Sequence, residues 1–172
     1  TEFDDIIALR FFKKFSGFLG QLISFEIGGK WYWTVTSKNS ADCTSEFVQD
    51  GKRIFEPYVT YQLIQKMIQE KIHICAEVMS KNDQTHGTRV FNECPVVTCV
   101  GQSVEDQFVK YFDHMTLVDF CTKFKLPCDS AIIIDTPVEA QEFMKLVSSS
   151  RDFMVDDKLD QIIQKTKSIK KH

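Results

Sequence analysis

The spacing of apolar residues changes several times along the chain, and each change marks an element. The run "DDIIALRFF" (4–12) sits between paired aspartates and Lys13-Lys14 and reads as a short buried strand. In "FLGQLISFEI" (18–27), Leu19, Phe25 and Ile27 share one face of a period-two pattern and Leu22 takes the other. That predicts a strand buried on both faces for part of its length. Gly28-Gly29 suits a tight hairpin turn, since both residues accept positive φ, and "KWYWTVTS" (30–37) is the aromatic, β-branched return strand. From Ser45 the period becomes helical. "SEFVQDGKRIF" (45–55) predicts one helix, and Pro57 is expected to open a second, "PYVTYQLIQKMIQEK" (57–71), with an apolar stripe of Leu63, Ile64, Met67 and Ile68.

Strands follow at "IHICAEVM" (72–79), "TRVF" (88–91), "PVVTCVG" (95–101) and "QFVKYF" (107–112), with the polar loop "SKNDQTHG" (80–87) among them. "HMTLVDFCTKFKL" (114–126) predicts a helix stopped before Pro127, and "CDSAIIID" (128–135) a strand. "TPVEAQEFMKLVSSS" (136–150) predicts a helix with Thr136 as N-cap and Pro137 in first position. A last helix is expected over "RDFMVDDKLDQIIQKTKSI" (151–169). Strands with helices inserted between them give an α+β fold with mostly antiparallel sheet, not a doubly wound parallel one. No GxGxxG follows a strand and no GxxxxGK[ST] occurs, so neither a dinucleotide fingerprint nor a P-loop is present.

Composition narrows this picture modestly. With 172 residues and 43% hydrophobic content the chain can bury a real core, and one domain over 1–172 is expected. Net charge of −3 does not advertise nucleic-acid binding, which would then need a local patch such as Lys165, Lys167, Lys170 and Lys171, more readily read as a solubilising helix end or tail. Six cysteines form no CxxC, so zinc ribbons and thioredoxin-type motifs are not indicated. Several lie in apolar runs, where a reduced thiol acts as a small hydrophobe. That usage, with no signal peptide and no apolar run long enough for a membrane span, predicts an intracellular protein of cytoplasm or nucleus.

Three places carry candidate chemistry. In Lys14-Phe15-Ser16-Gly17, a lysine amine is a nucleophile once it is neutral, and glycine lets backbone approach a ligand closely. Ser37-Lys38-Asn39-Ser40 clusters hydrogen-bonding groups after an apolar strand, as a ligand loop or a loop cap would. Glu77 stands inside an apolar strand, costly for a carboxylate unless it is ion-paired or serves a site. Two weaker constellations are a metal set of Glu77, Asp83 and His86, and a thiol nucleophile at Cys75 or Cys99.

A lysine in "KFSG", an "SKNS" cluster some twenty residues later, a helical insert, then a strand with an isolated glutamate in "CAEVMSKND": this order resembles the adenylyltransferase domain of ATP-dependent RNA ligases. The likeness runs from about Phe3 to Leu159 and is nearest to the fungal and plant tRNA ligases and the phage-type RNA ligases. It implies the covalent nucleotidyltransferase (RNA ligase, ATP-grasp-like) fold. It implies Lys14 as the nucleophile that forms lysyl-AMP from ATP, with magnesium, before an RNA 5′-phosphate is sealed to a 3′-hydroxyl in RNA repair or splicing. Phe15, Gly17, Ser37 and Lys38 would bind the nucleotide, and Glu77 would hold its ribose or help hold a metal. Ser16 stands where the family has Asp or Asn, and the family's later acidic and lysine motifs have no counterpart before His172. The missing motifs are expected of part of a longer ligase; both departures are expected of a degenerate, non-catalytic relative that binds RNA or a protein.

Overall fold

The computed structural model of the protein describes residues 9–12, 14–83, 90, 92–105, 108–129, 132–134 and 136–149. Its elements run β1 (Leu9–Phe11), β2 (Phe18–Ile27), β3 (Lys30–Ser37), α1 (Glu46–Phe55), a 3-10 turn (Glu56–Tyr58), α2 (Tyr61–Gln69), β4 (Ile72–Met79), β5 (Cys94–Glu105), β6 (Phe108–Tyr111), α3 (His114–Phe124), β7 (Ile132–Ile134) and α4 (Pro137–Ser149). They group into two compact units, residues 14–129 and residues 1–13 with 130–172.

The larger unit is a five-stranded sheet in the order β3-β2-β4-β5-β6, antiparallel throughout. This is the α+β arrangement expected from the sequence, with α1 and α2 inserted between β3 and β4. Gly28 and Gly29 turn the β2–β3 hairpin with φ of 58° and 75°, where a side chain would be strained. On one face, Leu22, Val35, Ile74, Ala76, Val78 and Val100 pack against Phe55 of α1, Leu63, Ile64 and Met67 of α2 and Leu117 and Phe120 of α3. Removing that apolar surface from water supplies the main driving force, about 1.5–3 kcal/mol for each fully buried large side chain.

Two expectations are corrected here. β2 is not buried on both faces: Leu22 is fully buried, whereas Leu19 and Ile27 keep 41% and 62% of their surface exposed. The helices cover only the Leu22 face, so the face with more apolar residues in the sequence is the open one. Second, Pro57 does not open α2. It lies in the 3-10 turn, and Thr60 is the N-cap, its hydroxyl accepting the Leu63 N–H at 3.2 Å. A side-chain oxygen that satisfies a free amide defines the start better than a proline three residues upstream.

α3 begins at Asp113, whose carboxylate accepts the Thr116 N–H, and it ends where Lys125 turns left-handed at φ 56°. In the smaller unit β1 pairs antiparallel with β7, and α4 starts as expected, Thr136 Oγ1 accepting the Glu139 N–H. The helix expected over 151–169 and the tail lysines lie outside the described residues. Of "TRVF", only Val90 is described, and it belongs to no strand. Among the described residues no helix is long and apolar enough to cross a membrane.

Candidate functional site

The sheet register gathers the sequence candidates at one end of the larger unit. Ser37, Gly20 and Ala76 form a row across β3, β2 and β4, and in the next row Leu19 pairs with Glu77. Lys38 follows Ser37 directly, at the same end. Just before β2, the Gly17 N–H donates to Glu77 Oε1 at 2.9 Å. Lys14 precedes that amide by three residues, so its Cα lies within about 11 Å of the Gly17 Cα by chain length alone. The "KFSG" turn and the glutamate strand, sixty residues apart in sequence, are therefore tied by a charge-assisted hydrogen bond.

Each side chain is exposed to a different degree. Lys14 and Lys38 are exposed, Phe15, Ser37 and Glu77 are half-buried, and Gly17 is buried. Gly17 lies so close to β4 that an ideal Cβ on it would sit 2.3 Å from the Val78 carbonyl oxygen. Its lack of a side chain lets the turn seat against the Glu77 strand. The Ser37 hydroxyl accepts the Ser40 N–H at 3.1 Å and donates to the Ser40 carbonyl at 3.3 Å. Ser40 Oγ then accepts from Asp42, and the Asp42 carboxylate accepts the Thr44 N–H, which holds that carboxyl below its ordinary range. The loop thus caps itself and presents Lys38 and Asn39 outward.

Sequence reasoning missed a polar clasp behind this site. The Arg53 guanidinium of α1 makes two 2.9 Å bonds to Glu93 and also bonds Asp50, one turn earlier. Asp50 accepts the hydroxyl of fully buried Ser80 and the Asn82 amide, and Glu93 also accepts the Lys81 N–H. "SKN" after β4 is therefore anchored on α1. The Asp50–Arg53 spacing at i,i+3 was the available signal; Glu93, forty residues on, gave none.

Arg53 and the Lys81 N–H push the Glu93 carboxyl from an ordinary 4.5 down to about 2. A depressed folded pKa adds stability that is fully present above about pH 4.5 and lost as pH falls toward 2. Arg53 is about half exposed, so solvent screening leaves about 1–2 kcal/mol. Glu93→Gln should lower the unfolding free energy from urea titration by that amount at pH 7, and the difference from wild type should shrink by pH 3. A gap of equal size at both pH values would refute the charge-based account.

Other candidates fare differently. Burial pushes the Cys75 and Cys99 thiols up, the opposite of what a thiol nucleophile needs. His86 of the metal set lies outside the described residues. Among the described residues no group of three or more His, Cys, Asp or Glu side chains is placed to hold a metal ion. Comparison of the chain with protein-family models and with curated proteins finds no match to either.

Proposed function

We propose that the chain is the adenylyltransferase part of an ATP-dependent RNA ligase with the covalent nucleotidyltransferase fold. The observation that carries the reading is the Gly17 N–H···Glu77 bond at 2.9 Å. It joins the "KFSG" turn to the isolated glutamate, and Lys38 sits at the same end of the sheet.

In this reading the Lys14 ammonium first loses a proton. Its Nζ then attacks the α-phosphorus of ATP, an N–P bond forms, and pyrophosphate leaves with the electrons of the broken P–O bond. An RNA 5′-phosphate oxygen next displaces the lysine, and a 3′-hydroxyl displaces AMP to seal the strand. Lys38, an exposed point charge, faces a phosphate of nucleotide or RNA. Glu77 keeps one carboxylate oxygen for the turn and has its other oxygen for a ribose hydroxyl. The described residues offer no ready-made cluster of metal ligands. Magnesium would fit as an ion carried on the triphosphate, where it would neutralise phosphate charge.

A second reading has its own support. Lys14 is exposed and Glu77 already serves as a backbone acceptor, which also suits a non-catalytic module binding RNA or a protein. The test is incubation with magnesium and ATP labelled at the α-phosphate. Acid-labile label mapped to the Lys14 peptide supports the ligase. No label on this chain, or on its longest natural form, moves the assignment to the binding module.

A further inference from the structure

β4 and β5 set two cysteines directly opposite each other. Cys75 and Cys99 are Cα partners in the antiparallel ladder. Cys75 alternates with buried Ile74 and Ala76, so it lies on the face turned away from α1 and α2. Opposed residues in an antiparallel pair have Cα atoms about 4.5 or 5.5 Å apart, depending on the kind of pair. A disulfide spans Cα separations of about 4.4–6.8 Å, so either kind falls within reach. The ladder shifts register between Cys75 and Ala76, and the Thr98 hydroxyl donates to the Cys75 carbonyl at 3.4 Å. Both residues are free thiols and partly exposed.

We propose that Cys75 and Cys99 form a redox-modification site, a cross-strand disulfide made by hydroperoxides and undone by thiols. Burial keeps both thiols largely protonated, so oxidation should quicken as pH rises; once a thiol loses its proton it takes an oxygen from the peroxide, giving a sulfenic acid and water or an alcohol. The opposite thiol attacks that sulfur; the S–S bond forms, the S–O bond breaks, and a second water leaves. Two thiols are oxidised and one peroxide O–O bond is reduced. The bond fixes β4 to β5 two residues from Glu77, beside the candidate site. The chemistry does not depend on the ligase reading, and its readout is separate from any adenylylation.

A competing pair exists. Cys121 lies near Cys128, and burial together with that neighbour pushes the Cys121 thiol up to about 12. Cys121 is wholly buried, but Cys128 is partly exposed, as Cys75 and Cys99 are, so both pairs are open to peroxide and peptide mapping tells them apart.

The test treats the native chain with hydrogen peroxide, alkylates residual thiols with N-ethylmaleimide and maps the tryptic peptides by mass spectrometry. The expected product links peptide 72–81 to peptide 90–110 and is lighter than the two together by two hydrogens. Fragment spectra must place the bond at Cys99 rather than Cys94, which shares that peptide. Dithiothreitol should reverse it, and Cys75→Ser should leave Cys99 unlinked. The proposal is overturned if Cys75 and Cys99 are still alkylated after exposed Cys43 is oxidised. It is equally overturned if the bond forms only at Cys121–Cys128, or at Cys94. Mapping the wild type alone decides the question should the variant fold poorly.

Discussion

Gly17→Ala is expected to destabilise the protein by about 2–5 kcal/mol, combining overpacking with a lost charge-assisted hydrogen bond. The added Cβ would meet the Val78 carbonyl oxygen at 2.3 Å and the Val78 carbonyl carbon at 2.8 Å. Neither atom can swing away as a side chain would, because β4 is held by β2 on one side and β5 on the other. The "KFSG" turn must move instead, and with it the amide that Glu77 accepts. The glycine is needed for space, not for an unusual backbone angle. At Gly28 and Gly29 the reverse holds: φ is positive at both, yet nothing lies within 4 Å of an added Cβ. Alanine at Gly28 should therefore cost only about 1–2 kcal/mol, from backbone strain. Urea unfolding of the two variants separates the cases. Equal midpoints would mean that the turn slides freely along β4. Since the same movement would pull the lysine turn from the glutamate, Gly17→Ala should also reduce any lysyl-AMP formation.

Much of the fold could be read from local patterns. The Gly28-Gly29 hairpin, the Thr136 cap and the strand around Glu77 each rest on residues within a few positions of one another. What escaped was set by distant partners. Which face of β2 is buried depends on where α1 and α2 dock, and period-two spacing alone leaves that open; Leu22 outweighed Leu19, Phe25 and Ile27 because the helices lie on its side. Pro57 was a true helix signal in the wrong place, since Thr60 offers the hydroxyl that α2 needs. The candidate site shows the same division. Its residues could be picked out as unusual for their surroundings, but the Gly17–Glu77 bond spans sixty positions, and only the register of β2 with β4 brings its ends together. The Arg53–Glu93 pair likewise needed α1 and the residues before β5 to be placed first.

Lys14 offers the sharpest separation between catalysis and binding. It is exposed, so Lys14→Ala should leave the unfolding free energy from urea titration within about 0.5 kcal/mol of wild type. The ligase reading nevertheless expects covalent label from ATP to fall below detection, because in that reading the Lys14 nitrogen is the one that attacks phosphorus. Lys14→Arg discriminates further. A guanidinium keeps its positive charge and its hydrogen-bond donors, but it stays protonated and cannot act as the nucleophile. If Lys14 is the nucleophile, arginine is as inactive in labelling as alanine. If Lys14 merely attracts phosphate, arginine should keep most of the RNA affinity that alanine loses, and that affinity should weaken with salt in both wild type and Lys14→Arg. An unlabelled wild type with arginine-rescued, salt-sensitive RNA binding would therefore identify an electrostatic binding module. Label on the wild type that neither variant retains would place the chemistry on the Lys14 amine, since the charge alone survives in arginine.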